Sequence, residues 1–144
     1  MKIFITGGTG FIGSHTIELL SKTNHQLKIL VRKTSDTTSL KKLNVNLIEG
    51  DLLDRQSLVK GMKDCDSVID LAGLYSFWEK EKSIYSKINI EGTRNIMECA
   101  LESGIKKVVH VSTVGVFGKP KDFPFNEQSN FGLVRYSEYF RTKY

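Results

Sequence analysis

Apolar residues gather in short runs at 3–5, 27–31, 45–48, 67–71 and 107–111, each of strand length and rich in Val and Ile. Between most of these runs the pattern changes to helical spacing. Ile12, Ile17, Leu19 and Leu20 mark a first helix. A second follows Asp54, a side chain suited to an N-cap, with Leu58, Val59 and Met62 on one side and Gly61 near its end. The longest pattern covers about residues 83–103; Tyr85, Ile88, Ile96, Met97, Ala100 and Leu101 are expected to face inward, with Gly104 as terminator. Strands alternating with helices predict an α/β fold built on a parallel sheet. From Phe117 to Phe131 both periods break and both prolines occur, which reads as a loop of a length that is often functional. Val134 to Tyr144 then starts another helix. A parallel sheet whose last helix leads to no further strand has an uncovered edge, so the expectation is a fragment.

Composition narrows the classes. A chain of 144 residues with 40% hydrophobic content is one domain, able to bury about 70% of its unfolded surface, and this argues against disorder. Apolar runs of about five residues are far short of the roughly 20 that a membrane span needs, and the first residues begin a strand instead of a leader. No membrane insertion and a cytoplasmic location are therefore expected. Cys65 and Cys99 form no C-x-x-C pair and read as reduced thiols. The net charge of +5 comes from lysines scattered in ones and twos, a solvated surface and not a nucleic-acid stripe.

The first apolar run leads into Thr6-Gly7-Gly8-Thr9-Gly10-Phe11-Ile12-Gly13. Glycine at 7, 10 and 13 permits a sharp turn, close approach of bare backbone to an anion, and close seating of the next helix on the sheet. The free N–H groups of that helix start, at Phe11, Ile12 and Gly13, suit a diphosphate. The second strand ends in Arg32-Lys33, with no acid before Asp36. An acid at that place accepts the ribose hydroxyls of NAD, whereas cations suit the 2′-phosphate of NADP, each contributing about 1 to 3 kcal/mol. NADP is favoured and NAD remains open.

Hydride chemistry at an oxygen-bearing carbon needs a group that exchanges a proton at that oxygen near neutral pH. A tyrosine serves if its pKa, ordinarily about 10, is lowered; a lysine ammonium about 4 Å away contributes about 4 kcal/mol at an effective dielectric of 20, or about three pH units. Among five tyrosines only Tyr139 has a lysine, Lys143, four residues on, which places both on one helix face. The fifth strand ends in Ser112-Thr113, hydroxyls able to bond a substrate oxygen.

The glycine turn, spaced G-x-x-G-x-x-G, resembles the opening of the extended short-chain dehydrogenases/reductases, the NAD(P)-dependent epimerase/dehydratase family. The resemblance runs along almost the whole chain. It implies a Rossmann-type doubly wound parallel sheet, incomplete at the carboxyl end, with residues 1–144 as the NAD(P)-binding domain and the substrate-binding part absent. It implies that Asp51 in Gly50-Asp51-Leu52 contacts the adenine amino group while Leu52 packs on the ring, and that Leu71, Ala72 and Gly73 lie against the cofactor. Asp51 reads equally as a turn residue, and Asn89 in Asn89-Ile90-Glu91-Gly92-Thr93 equally as an amide tying helix to sheet. Ser112-Thr113-Val114-Gly115 resembles the stretch whose second hydroxyl is catalytic, which selects Thr113, 26 residues before Tyr139, with Glu127 in the acidic loop between. Lys143 would hold the nicotinamide ribose as well as lower the tyrosine pKa.

Within the family, Leu30-Val31-Arg32 and Leu74-Tyr75-Ser76-Phe77-Trp78 look like the dihydroflavonol-reductase-like branch, which includes hopanoid-associated sugar epimerases. Leu71-Ala72-Gly73 departs from the longer alanine run that follows a histidine in many relatives. Phe77 and Trp78 read either as substrate lining or as packing over the sheet's end. The expected function is an NAD(P)-dependent oxidoreductase acting on a small-molecule carbonyl or alcohol. The alternatives are a nucleotide-sugar epimerase or dehydratase, a non-catalytic redox sensor, and a structural subunit. A homodimer is open for the complete protein, and these 144 residues by themselves are expected to bind cofactor weakly and turn over nothing.

Overall fold

The computed structural model describes residues 1–118, 124, 126–129, 131 and 137–143. Five strands, β1 (Lys2–Thr6), β2 (Gln26–Val31), β3 (Asn46–Glu49), β4 (Ser67–Asp70) and β5 (Lys107–His110), form one sheet in the order β3-β2-β1-β4-β5. Every pairing is parallel, as the alternating pattern predicts. Connections run outward from β1 in both directions, so the order reverses between β1 and β4. Doubly wound sheets open a crevice at the carboxyl ends of the strands at such a point.

Alternation along β1 fills both faces of the sheet. Phe4 lies with Leu30, Leu58, Met62, Val68 and Ile96 beneath α2 (Arg55–Met62) and α4 (Thr93–Glu102). Ile3 and Ile5 lie on the other face with Ile17, Leu27 and Ile29 beneath α1 (Phe11–Ser21). Each such side chain contributes about 1.5 to 3 kcal/mol through burial. Gly61 belongs to this packing: a Cβ there would sit 2.4 Å from the Phe4 ring.

The helical stretch after β4 is more articulated than its apolar period predicts. It consists of α3 (Ser83–Tyr85), a π-helical turn over Ser86–Gly92, and α4. The buried face of α4 carries Asn95, Ile96, Cys99 and Ala100, whereas Met97 sits at the surface and Leu101 is 82% exposed. The stripe was expected about a quarter-turn away because two of its members, an amide and a thiol, do not read as apolar. Leu19, Ile12 and Val59 are likewise exposed, with Gly13 and Ile17 making the buried face of α1. The expected boundaries stand: Asp54 caps α2 by accepting from Gln56 N at 3.1 Å, and Gly104 ends α4 at a φ of +67°.

A final helix, α5 (Glu138–Lys143), lies against the short 3-10 turn Val114–Phe117. Val134 and Tyr144, expected to bound it, fall outside the described residues, as does Pro120. Phe117 and Phe131, the ends of the expected loop, stack at 5.1 Å. No helix among the described residues is long and apolar enough to cross a membrane.

Candidate active site

The turn after β1 is shaped by contacts only glycine allows. Gly7 has φ +68°, and a Cβ there would lie 2.6 Å from the backbone of Leu71 and Ala72. A Cβ on Gly13 would lie 2.1 Å from Gly7 O, so the first turn of α1 rests directly on the loop. Gly10 N donates to Gly7 O at 3.0 Å, and Gly10 caps α1 with no side-chain hydrogen bond. The helix start thus presents its backbone N–H groups without a side chain competing for them, as an anion site requires. Phe11 and Ile12 expose their side chains here, Phe11 packing edge-on against His15 at 5.1 Å.

Beside this turn lies a cleft of about 210 Å³. Of the residues expected at a cofactor, Gly7, Gly10, Arg32, Asp51, Leu52, Leu71, Ala72 and Gly73 line it. Phe11, Ile12 and Gly13 adjoin it through the helix start, Lys33 is exposed outside its lining, and Lys143 lies at its far end, where a Cβ on Gly73 would be 3.7 Å from Nζ. Thr9, Leu30, Ser35, Gly50 and Ile88 also line it and were not expected. Ser35 was findable, since its hydroxyl follows Arg32 by one turn and Ser35 N donates to Arg32 O at 2.9 Å. Asp51 lines the cleft, and its Oδ1 accepts from Leu53 N at 2.9 Å, as a turn residue's would. The shape and donors of the cleft, with bare backbone at one end and the Arg32 guanidinium at the β2 end, fit a dinucleotide.

At the end of β5, Thr113 is the N-cap of the 3-10 turn and accepts from Gly115 N at 3.2 Å. A Cβ on Gly115 would penetrate the Phe140 ring to 2.2 Å, so this glycine lets α5 seat beside Thr113. Tyr139 is buried, its ring meeting Tyr75 at 5.0 Å, Phe77 at 6.3 Å and Phe140 at 5.3 Å. Phe77 stays largely exposed while its ring meets Tyr139 and Phe140 of α5, and Trp78 is 78% exposed. Glu127 lies in an exposed turn over Asn126–Ser129.

Lys143 ends in a polar nest. Its Nζ donates to Val111 O at 2.9 Å and lies 3.4 Å from His110 Nε2. His110 Nδ1 is 2.7 Å from Asp70 Oδ2, and Asp70 Oδ1 accepts from Thr6 Oγ1 at 2.5 Å. Thr6 in turn accepts from Ala72 N at 3.3 Å, so one chain of bonds joins the glycine turn to the lysine. Burial pushes the Lys143 amine below its ordinary pKa, an effect the Asp70 carboxylate opposes. Asn89, in the π-helical turn, accepts from Leu74 N at 2.7 Å and donates to Thr142 Oγ1 at 3.0 Å, so the amide ties the loop after β4 to α5. Thr6, Asp70 and His110 were missed; the available signal was a polar residue at the same end of three otherwise apolar strands.

Sheet order, crevice and glycine turn define a doubly wound α/β protein of the Rossmann type with its site at the strand-order reversal. The chain belongs to the NAD dependent epimerase/dehydratase family, which it matches over residues 3–144. It is 36% identical over 119 residues to a putative dihydroflavonol 4-reductase of Synechocystis sp., covering 83% of this chain and 34% of that protein. It is 34% identical over 142 residues to a UDP-glucose 4-epimerase of Neisseria meningitidis, covering 91% and 42%. Among solved structures it resembles a UDP-glucose-4-epimerase from Stenotrophomonas maltophila with bound NAD, at a TM-score of 0.88 and 25% identity over 99% of this chain and 45% of that one. The chain thus spans well under half the length of these relatives.

Proposed function

We propose that these residues form the NAD(P)-binding domain and much of the catalytic apparatus of an oxidoreductase acting at a carbonyl or hydroxyl carbon. One observation carries this reading: the cleft that begins at the bare backbone of Gly7 ends beside Lys143 Nζ, next to Gly73. Gly7, Gly10 and the N–H groups of Phe11, Ile12 and Gly13 would hold the diphosphate. Asp51 and Leu52 would hold the adenine, and Leu71, Ala72, Gly73 and Lys143 the nicotinamide end. A bound dinucleotide would supply or accept the hydride. Tyr139 gives or takes the proton at the substrate oxygen, Lys143 stabilises the tyrosinate and holds the ribose, and Thr113 steadies the substrate oxygen through a hydroxyl free to reorient from its cap.

Arg32 and Ser35 at the β2 end of the cleft support NADP over NAD, since a guanidinium and a hydroxyl match a 2′-phosphate. The resemblance to UDP-glucose 4-epimerases supports a second reading, a nucleotide-sugar epimerase or dehydratase with the same catalytic residues. The two differ in whether the hydride stays on product. Fluorescence titration with NADPH and NADH, and turnover of carbonyl substrates by an enzyme carrying these residues, test both points. The proposal expects tighter NADPH binding, abolished as a preference in Arg32→Ala, and net consumption of reduced dinucleotide. Tighter NADH binding removes the NADP assignment, and turnover without net consumption selects the epimerase.

A further inference from the structure

The bond chain behind Lys143 contains two groups for which the reaction so far has no use, Asp70 and His110. They are brought together by sheet register: Asp70 on β4 is the direct partner of His110 on β5. Asp70 is fully buried, and its two oxygens are taken by Thr6 and His110. A carboxylate only accepts and an ammonium only donates. Between these neighbours the neutral imidazole has one consistent arrangement: Nδ1 carries the proton toward Asp70, and bare Nε2 faces Lys143.

We propose that His110, oriented by Asp70, is a positioning residue that holds the Lys143 ammonium by accepting at Nε2, and that protonation of the imidazole releases it. The Nε2 contact, at 3.4 Å, is long, and Val111 O at 2.9 Å is the closer acceptor; together they fix Nζ from two sides. When the ring gains a proton, both Nε2 and Nζ are donors facing each other, and attraction turns to repulsion. The proton has a route in. His110 and Lys143 border a second cavity of about 360 Å³ whose other walls are Asn89, Ile90, Thr93, Ser112 and Thr142. None of those walls is charged. Among the described residues, Asp70 from β4 and Lys143 from α5 are the charged groups on the imidazole.

Because the inference rests on Lys143 acting in catalysis, its test needs a readout free of turnover. Long-range proton–nitrogen correlation spectra of the uniformly labelled chain, recorded at alkaline pH, report the tautomer. A protonated Nδ1 and bare Nε2 are expected, with the Nε2 resonance moving in Lys143→Met. A ring protonated at Nε2, or an Nε2 resonance indifferent to Lys143→Met, overturns the proposal. In an active enzyme carrying these residues, kcat falls on the acid side as the ring gains its proton, and His110→Gln, which keeps an acceptor but does not titrate, flattens that limb. An unchanged acid limb in His110→Gln, with Tyr139→Phe inactive, removes this inference and leaves the active-site reading standing.

Discussion

Asn89 donates through Nδ2 to Thr142 Oγ1 at 3.0 Å, and the Thr142 hydroxyl donates in turn to Glu138 O at 2.8 Å. This amide fastens α5, which carries Tyr139 and Lys143, to the π-helical turn and, through Leu74 N, to the loop bordering the cleft. Replacing Asn89 by Ala leaves buried polar groups without partners, at a cost of about 1 to 3 kcal/mol. A lowered urea midpoint with unchanged slope is expected. A midpoint equal to that of the parent chain would show that Asn89 holds nothing.

Gly115→Ala places a methyl group inside the ring of Phe140. Because α5 must move outward to accept it, Lys143 Nζ should lose Val111 O, and kcat of an enzyme carrying the change should fall at least about tenfold. Phe140→Leu in the same chain should restore part of the loss by making room. Failure of the double variant to recover would place the effect elsewhere in the turn.

Two glycines separate crowding from backbone strain. A Cβ at Gly13 meets Gly7 O at 2.1 Å, whereas one at Gly104 meets nothing within 4 Å and suffers only from the φ of +67°. Gly104→Ala should cost about 1 kcal/mol and leave dinucleotide affinity alone. Gly13→Ala should weaken that affinity at least about tenfold, equivalent to about 1.4 kcal/mol, by lifting α1 off the turn. Equal affinities in the two variants, measured by titration, would sever the glycine turn from the ligand.

Burial pushes the thiols of Cys65 and Cys99 above their ordinary value of 9.0. Below that value both folded and unfolded chains keep the proton and the thiols add no pH dependence. Above it the unfolded chain ionises first, so stability falls as pH rises through the folded pKa. Cys99→Ala should soften the decline of the urea midpoint on the alkaline side. Rapid alkylation of Cys99 in the native chain at neutral pH would contradict its burial.

The parts of the fold carried by local sequence were legible: five apolar runs, the Asp54 cap, the Gly104 stop and the glycine turn all act within a few residues of themselves. The outward placement of Met97 and Leu101 was not, because the true buried stripe of α4 uses Asn95 and Cys99. Nor was the π-helical turn over Ser86–Gly92, since no residue type in that stretch marks a change from i→i+4 to i→i+5 bonding. Asp70 and His110 stand 40 residues apart and meet only through strand register. Arg32 could be nominated from its place at a strand end, and Asp51 and Gly73 through the family resemblance; all three come together because in a doubly wound sheet the strand ends on one side converge.

In the proposed reaction Tyr139 is the group that exchanges a proton with substrate. The most direct measurement is kcat for Tyr139→Phe in an enzyme carrying these residues, with a carbonyl substrate and saturating NADPH, beside an unchanged dinucleotide affinity. A fall of at least about a hundredfold is predicted. Turnover close to that of the parent enzyme would contradict the account.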